Sequence, residues 1–282
     1  MAVGRIKWTD KKIAEMVSSG HGRGVGKDYL PWIHVRDFSS RGTSRRAPSN
    51  KTGRTHQLLS DVEYDLFLLL EWSREFADIR EQYPLDRDLT QDVARSLGIK
   101  HPCYPNTHVP AVMTVDFLCT RVTHGEDEFV AFNAKRKEEA EDENSLLKLE
   151  IQRASLELLN IPHHLVYHSD LPSQKVRNID WIRDSLVKEG ESEPRKGYWA
   201  SMSIRMGQMF SGAKGSQSLV DFCAQFDAAN SAPQGTGLRA ARLLMLERVL
   251  VPDLALTALE KAPLNTFLLT GSSGQLRAVG GA

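Results

Sequence analysis

The residues best suited to chemistry are an acid, an amide and a lysine on two neighbouring apolar runs. The run Phe129–Lys135 reads as a strand, and because side chains along a strand alternate faces, Asn133 and Lys135 point the same way. The upstream run Ala111–Leu118 is interrupted by Asp116. The turn-rich residues between the runs predict a hairpin that places the carboxylate beside the amide and the lysine. This cluster suits holding Mg²⁺ and activating water against a phosphodiester.

A second acid, Glu63, falls in the first turn of a predicted helix. Ser60 is a suitable N-cap, and Glu63 lies on the same side of the helix as the apolar Leu66 and Leu70. A buried carboxylate without a partner is costly, so this acid needs an explanation. Two explanations are open: Glu63 completes a capping box with Ser60, or it is a metal ligand.

Composition and length exclude several classes of protein. The 282 residues are enough for two domains, and no apolar run approaches the roughly 20 residues that cross a bilayer. Met1–Thr9 lacks the apolar core of a signal peptide. The three cysteines are widely spaced and form no CxxC pair, which argues against a disulfide scaffold or a zinc ribbon and favours buried thiols in a reducing compartment.

The first 60 residues form a basic arm on an otherwise neutral chain. They contain 12 Lys or Arg and 4 Asp or Glu, a net charge of 12 − 4 = +8. This balance favours contact with nucleic acid, although such arms also serve solubility alone. The Gly-rich segment 22–32 is not a nucleotide loop, because Asp28 follows Gly26-Lys27 where Ser or Thr is required. Residues 39–55 predict a surface loop or a hairpin.

The remaining patterns predict a mixed α/β domain over residues 1–170. A strand is expected at Phe76–Leu85, a helix at Thr90–Leu97, a helix capped by Ser145 that runs to about Asn160, and a strand at His163–His168. The longer helix is expected to bury Leu146, Leu149, Ala154, Leu156 and Leu159. The histidines do not predict zinc, because His164 and His168 are too far apart on a strand to chelate easily.

A smaller, mainly helical domain is predicted over residues 171–282. Helices are expected at about 203–211, 216–228 and 237–250, followed by a short β-wing or a further helix. The third helix carries Arg239 and Arg242, with Arg248 near its end. These arginines suit phosphate contacts, but the Leu- and Ala-rich helix suits protein docking at least as well.

Several short segments in the same order resemble the TnsA family, the endonuclease subunits of heteromeric cut-and-paste transposons. The resemblance is near-continuous from about residue 20 to 185. It lies in Gly26–Trp32 (GKDYLPW), Leu58–Glu63 (LLSDVE) with Leu70-Glu71-Trp72, Asp78–Leu85 (DIREQYPL), Gly98–Pro102 (GIKHP), and Asp116-Phe117-Leu118 followed by Ala134-Lys135.

The resemblance implies a restriction-endonuclease-like first domain, a mixed sheet flanked by helices, with a winged-helix-like second domain. It makes Glu63, Asp116 and Lys135 the catalytic residues, with one or two Mg²⁺ as cofactor. The family has a glutamine at Asn133, so the further metal-binding oxygen is expected from the Asn133 side chain or from the backbone at Asn133 and Ala134. DNA contacts are expected at Lys27, Arg54 and Lys100.

The resemblance also implies an activity and partners. The expected protein is a Mg²⁺-dependent endonuclease that cuts double-stranded DNA at the 5′ ends of a transposon, together with a TnsB-like transposase and a TnsC-like ATPase regulator. The expected location is the bacterial cytoplasm, at the nucleoid once assembled. Two alternatives are open: a stand-alone restriction or repair nuclease of the same fold, and a DNA-binding assembly subunit without catalysis.

Overall fold

The computed structural model describes residues 6–35, 43–123, 125–140, 142–187, 190–213 and 215–270. The chain divides into two compact units, 1–171 and 172–282, the first mixed α/β and the second mainly helical, as the predicted fold class requires. The elements of the first unit are, in chain order, α1 (Asp10–Ser18), β1 (Arg45–Ser49), β2 (Arg54–Leu58), α2 (Asp61–Trp72), β3 (Phe76–Pro84), α3 (Arg87–Ser96), β4 (Thr114–Thr123), β5 (Glu126–Lys135), α4 (Lys137–Ala140), α5 (Glu143–Leu158) and β6 (His163–Tyr167).

In the described part of the first unit the main sheet has the order β3-β4-β5-β6. The first two pairs are antiparallel, with Phe117 opposite Phe132, and β5 and β6 are parallel, with Asn133 opposite Leu165. The predicted hairpin of the Asp116 and Lys135 strands is confirmed, although β4 begins at Thr114 rather than at residue 111. Helix α5 supplies the crossover that the parallel pair needs.

Helix α5 starts earlier than predicted, and this changes which of its leucines are buried. Asp142, not Ser145, is the N-cap, and its carboxylate accepts a hydrogen bond from the Ser145 N–H at 2.9 Å. Leu149 and Leu156 are buried as expected, whereas Leu146 and Leu159 are 48% and 50% exposed. Helix α3 likewise begins at Arg87, capped by Asp86, because an aspartate can accept the first free N–H groups of a helix.

Strands β1 and β2 form a hairpin next to α2. On its inner face lie the buried Ala47, Ser49, His56 and Leu58. The turn of the hairpin carries Lys51, whose ammonium donates to the carbonyls of Leu70 (3.2 Å), Ser73 (2.5 Å) and Phe76 (2.8 Å). A cation at this position satisfies carbonyls at the end of α2 and complements the helix dipole. The hairpin therefore fixes the helix that carries Glu63.

The segment before the hairpin packs on the end of β3. Tyr29 and Trp32 are buried, and Trp32 joins Trp8, Ile13, Met16 and Tyr104 in a core cluster. Gly22 has φ +77°, and a Cβ there would lie 2.2 Å from Cγ of Pro84, so this close approach requires glycine. The first glycine of the segment that resembles a nucleotide loop therefore serves packing against β3.

The second unit is built from helices and a short strand pair. Its elements are α6 (Ser173–Arg183), α7 (Tyr198–Gly212), α8 (Leu219–Ala229), α9 (Thr236–Leu246), β7 (Leu250–Val251) and β8 (Leu268–Leu269). The two strands pair antiparallel, as a small wing does. The helices lie near the predicted spans, with α7 beginning at Tyr198, before the expected residue 203.

Two of the arginines in α9 are engaged inside the second unit. The Arg239 Nε donates to the Ser185 carbonyl at 2.9 Å, and its guanidinium lies 4.2 Å from the centre of the Trp199 ring. Arg242 pairs with Asp184 at 3.2 Å. These contacts make Arg239 and Arg242 packing residues, which disfavours phosphate contact, one of the two roles that the sequence left open. None of the helices in the described ranges combines the length and apolar character that crossing a bilayer requires.

Candidate active site

Glu63 lies in the first turn of α2, where it takes part in a capping arrangement. The Ser60 hydroxyl oxygen accepts from the Glu63 N–H at 3.1 Å. In return the Glu63 carboxylate accepts from the Leu59 N–H (3.0 Å) and from the Ser60 hydroxyl (3.1 Å). The capping explanation of this acid is therefore correct. It does not exclude the other one, because an ionised carboxylate has about four acceptor positions.

Asp116 and Lys135 meet across the β4–β5 pair. One carboxylate oxygen of Asp116, Oδ2, accepts from the Ala134 N–H at 2.8 Å and lies 3.5 Å from Nζ of Lys135. The Asp116 side chain is 10% exposed and that of Lys135 is 30% exposed, so the lysine stands at the solvent side of the pair. A backbone donor and an ammonium thus hold this carboxylate on the sheet.

The electrostatics of Glu63 show that the acids and the lysine share one site. Burial raises the pKa of Glu63, the charge of Asp116 raises it further, and the Leu59 N–H and the Lys135 ammonium oppose both effects; the result is about 8. Two carboxylates and one ammonium leave the site short of positive charge. The structure therefore brings the predicted Glu63, Asp116 and Lys135 together.

Asn133 is tied into a buried network by its side chain. Its Nδ2 donates to Oε1 of Gln152 at 2.9 Å, and its Oδ1 lies 3.3 Å from Nε2 of His163. Gln152 in turn donates to the carbonyl of Thr114 at 2.8 Å, at the start of the Asp116 strand. The amide therefore braces β4 and α5, and the oxygen of its main chain remains the simpler choice for a metal ligand.

The oxygen-rich donor set fits Mg²⁺. In the described ranges no three His, Cys, Asp or Glu side chains cluster closely enough to hold a metal ion. A zinc-type cage is a different arrangement from two carboxylates beside a strand backbone. Mg²⁺ is bound through one or two carboxylates with water and substrate oxygens, and its charge would offset the repulsion between Glu63 and Asp116.

The predicted DNA contacts differ in their environments. Lys27 and Lys100 are exposed. Arg54 is not: its side chain is 8% exposed, and its guanidinium donates to Oε1 of Glu81 at 2.7 Å and to the Ile79 carbonyl at 2.8 Å. The hairpin turns this arginine to its inner face, contrary to the expected surface position. Arg45 and Arg46 on the neighbouring strand are exposed instead.

Sequence reasoning missed the residues that support the acids. Gln82 donates through Nε2 to Oε2 of Glu63 at 3.2 Å, and Gln152 and His163 hold Asn133. These side chains come from β3, α5 and β6, so no local spacing joins them. The only hint in the sequence was the polar pair Glu81-Gln82 inside an otherwise strand-like segment, which indicates polar side chains that need partners.

Both units of the chain are similar to known proteins. Residues 73–168 match the family described as TnsA-like endonuclease N terminal, a range that includes Asp116 and Lys135 and begins after Glu63. Residues 170–254 match TnsA endonuclease C terminal. The Escherichia coli transposon Tn7 transposition protein TnsA is 34% identical over 244 residues, which cover 86% of each sequence.

The fold of the first unit and the matched domain define the class of protein: a nuclease built on a mixed sheet flanked by helices. The 34% identity to TnsA over 86% of the chain narrows the class of nuclease to one family. The chain belongs to the TnsA family of transposition endonucleases.

Proposed function

We propose that this chain is the Mg²⁺-dependent endonuclease subunit of a heteromeric transposase, and that it cuts the 5′ ends of the transposon in cut-and-paste transposition. The observation that carries the proposal is the convergence of Glu63, Asp116 and Lys135 on one site, with Lys135 Nζ 3.5 Å from Asp116 and Glu63 subject to the charges of both. The family membership supports the assignment to transposition.

Glu63 and Asp116 would hold Mg²⁺, with a main-chain oxygen at Asn133 or Ala134. When bound, the ion supplies positive charge that stabilises the phosphorane-like transition state and lowers the pKa of water. Lys135, at the solvent side, would contact the scissile phosphate and orient the attacking water. The water oxygen forms a bond to phosphorus as the bond to the 3′ oxygen breaks, and the products carry a 3′-hydroxyl and a 5′-phosphate.

The partners we propose follow from the family. A TnsB-like transposase would cut and join the 3′ ends, and the second unit would dock on a TnsC-like ATPase regulator. The packing of Arg239 and Arg242 inside this unit favours protein docking over DNA reading, because neither guanidinium is presented for phosphates. DNA would be approached by exposed cations of the first unit, among them Lys27 and Lys100.

The test is strand cleavage by the assembled transposase on labelled transposon ends during a Mg²⁺ titration. Wild-type chain is expected to cut at the 5′ ends only with Mg²⁺, and Asp116→Ala is expected to stop this cut while the second unit still binds the regulator. Asp127→Ala, at an exposed position near the start of β5, is the matched control and is expected to cut normally.

Three results would overturn the proposal. Normal cleavage by Asp116→Ala would remove this site from the reaction. Efficient, sequence-specific cleavage by the isolated chain would favour a stand-alone restriction enzyme. Absence of any metal-dependent 5′ cut in an otherwise active complex would leave only an assembly role.

A further inference from the structure

Gln82 has an unusual backbone for a residue inside a strand. Its φ is +47°, in the left-handed region, although β3 runs from Phe76 to Pro84 and Gln82 is not glycine. Long side chains rarely adopt this conformation, and where they do, the surroundings hold them there, commonly at a functional site. Contacts on both the main chain and the side chain of Gln82 explain this conformation.

The segment singled out by the sequence as GKDYLPW holds this part of β3. The Tyr29 hydroxyl donates to the Glu81 carbonyl at 3.0 Å, and the Trp32 N–H donates to the Gln82 carbonyl at 3.3 Å. Both aromatic side chains are buried at 2% exposure. Two hydrogen bonds from a packed segment therefore fix consecutive carbonyls, which keeps the left-handed residue in place.

The side chain of Gln82 contacts Glu63 from the strand that neighbours the Asp116 strand. Glu81 pairs with Phe117 and Tyr83 with Val115, so Gln82 stands opposite Asp116 in the register. Its Nε2 donates to Oε2 of Glu63 at 3.2 Å.

The other end of the amide is also fixed. Its Oε1 accepts from the Thr114 hydroxyl at 3.2 Å, at the start of the strand that carries Asp116. Gln82 is 3% exposed, so water does not compete for either bond. One amide thus connects α2 to β4.

We propose that Gln82 is the positioning residue that sets the Glu63 carboxylate against Asp116 for divalent-ion binding. This inference rests on the proposed function. The left-handed backbone turns the side chain toward α2, and Thr114 fixes the amide. The amide N–H and the Leu59 N–H both hold Oε2 of Glu63, and Oε1 accepts from the Ser60 hydroxyl and has a further lone pair for an ion. Partners of metal ligands that act in this way typically change metal affinity by about 10- to 100-fold when removed.

Two substitutions separate the side chain from the backbone. Gln82→Gly accepts the left-handed conformation and removes the amide, and Gln82→Asn tolerates the conformation with an amide that is one methylene too short. Asn160→Gly is the matched control, because Asn160 has φ +55° at an exposed position after α5. Asp116→Ala removes a proposed ligand.

The experiment is Mn²⁺ titration of the full chain, with free ion measured by electron paramagnetic resonance and melting temperature recorded in parallel. Mn²⁺ takes the same carboxylate and carbonyl ligands as Mg²⁺. We expect both Gln82 variants to remain folded but to melt below the wild-type temperature, because buried hydrogen bonds are lost, and to bind Mn²⁺ about 10- to 100-fold more weakly at a temperature where they are fully folded. Asn160→Gly should bind like wild type, and Asp116→Ala should lose the site.

Wild-type affinity in Gln82→Gly would overturn the positioning role. An equal loss of Mn²⁺ affinity in Asn160→Gly would also overturn it, because the effect would then not depend on the Gln82 amide. Wild-type binding by Asp116→Ala would instead remove the acid pair as the ion site and defeat the proposed function itself. If Asp116→Ala loses Mn²⁺ binding while both Gln82 variants bind Mn²⁺ like wild type, the positioning role is wrong and the proposed function is still supported.

Discussion

Two buried glutamates, Glu63 and Glu81, lie close together in the fold and have opposite environments. Arg54 grips Glu81 with both terminal nitrogens, His56 Nδ1 lies 2.8 Å from it, and the Gln57 N–H donates to it at 3.0 Å. Burial alone would raise the pKa of Glu81, but His56 and Arg54 outweigh it and lower that pKa to about 2.

Glu63 has hydrogen bonds from neutral groups and a second carboxylate as its neighbour, and its pKa rises to about 8. The difference indicates that Glu81 stabilises the fold and that Glu63 does not. Glu81 has its counter-charge within the hairpin, and Glu63 lacks enough counter-charge of its own. A buried carboxylate short of positive charge is suited to receive a cation from outside the chain.

The largest effect is expected from Glu81→Gln. The change leaves the Arg54 guanidinium buried without its counter-charge, which typically costs about 3–5 kcal/mol of unfolding free energy. Chemical denaturation measures it. Glu75→Gln is the control, because Glu75 pairs with Arg121 at the surface, where a pair contributes about 0–1 kcal/mol. Equal losses in the two variants would contradict the structural role given to Glu81.

Glu63→Gln should have the opposite effect to Glu81→Gln: stability is kept and cleavage is lost. Stability is expected to stay the same or rise, because a desolvated acid is replaced by a neutral amide. Cleavage at the transposon 5′ end by the assembled complex should fall by about 10²- to 10³-fold, as for loss of one preorganised charge-stabilising group. A variant that unfolds easily and still cuts when folded would reverse the assignment of the two glutamates.

The two acids also predict opposite pH dependences for the metal-free chain. Glu63 is raised above its usual 4.5, so its ionisation destabilises the fold as pH rises from about 4.5 to 8. Between pH 5 and 7 this amounts to about 2 kcal/mol, since one pKa unit is about 1.4 kcal/mol. Glu63→Gln or added Mg²⁺ should remove the decline.

The effect of Glu81 on stability appears at lower pH, as an acid limb of the curve of stability against pH. The pKa of Glu81 is lowered to about 2, so its stabilisation is complete above about 4.5 and is lost as pH falls toward 2. Glu81→Gln should remove this acid limb and leave the decline toward pH 8. Melting curves across the pH range measure the decline toward pH 8 and the decline toward pH 2. If both variants lose the same one of these declines, the two acids do not have the opposite roles given to them here.

The smallest effect concerns the arginines of the hairpin. Arg45→Ala with Arg46→Ala, both exposed, should weaken DNA binding by the assembled complex and reduce the slope of log K against log salt by about 2, near 0.9 for each phosphate contact. Arg54→Ala should leave that slope unchanged and lower the melting temperature. The reverse result would restore Arg54 to the DNA-contacting surface.

The sequence predicted the parts of the site that local rules control. Ser60 before Glu63 indicated the start of α2, and the alternation around Asp116 and Lys135 indicated their strands. Arg54 escaped prediction because its inward position depends on the hairpin register and on Glu81, 27 residues away. The left-handed Gln82 could not be foreseen either, since its conformation is imposed by Tyr29 and Trp32. Asp142 displaced Ser145 as a cap because both residue types fit that role.

The hydrogen bonds from Tyr29 and Trp32 to β3 bear on how small an active fragment of this chain can be. A truncated chain that begins at residue 43 would keep Glu63, Asp116 and Lys135 and the strands that carry them. It would lose the two donors that fix the carbonyls of Glu81 and Gln82. The minimal nuclease is therefore expected to include the amino-terminal segment, even though residues 6–35 supply none of the three residues Glu63, Asp116 and Lys135.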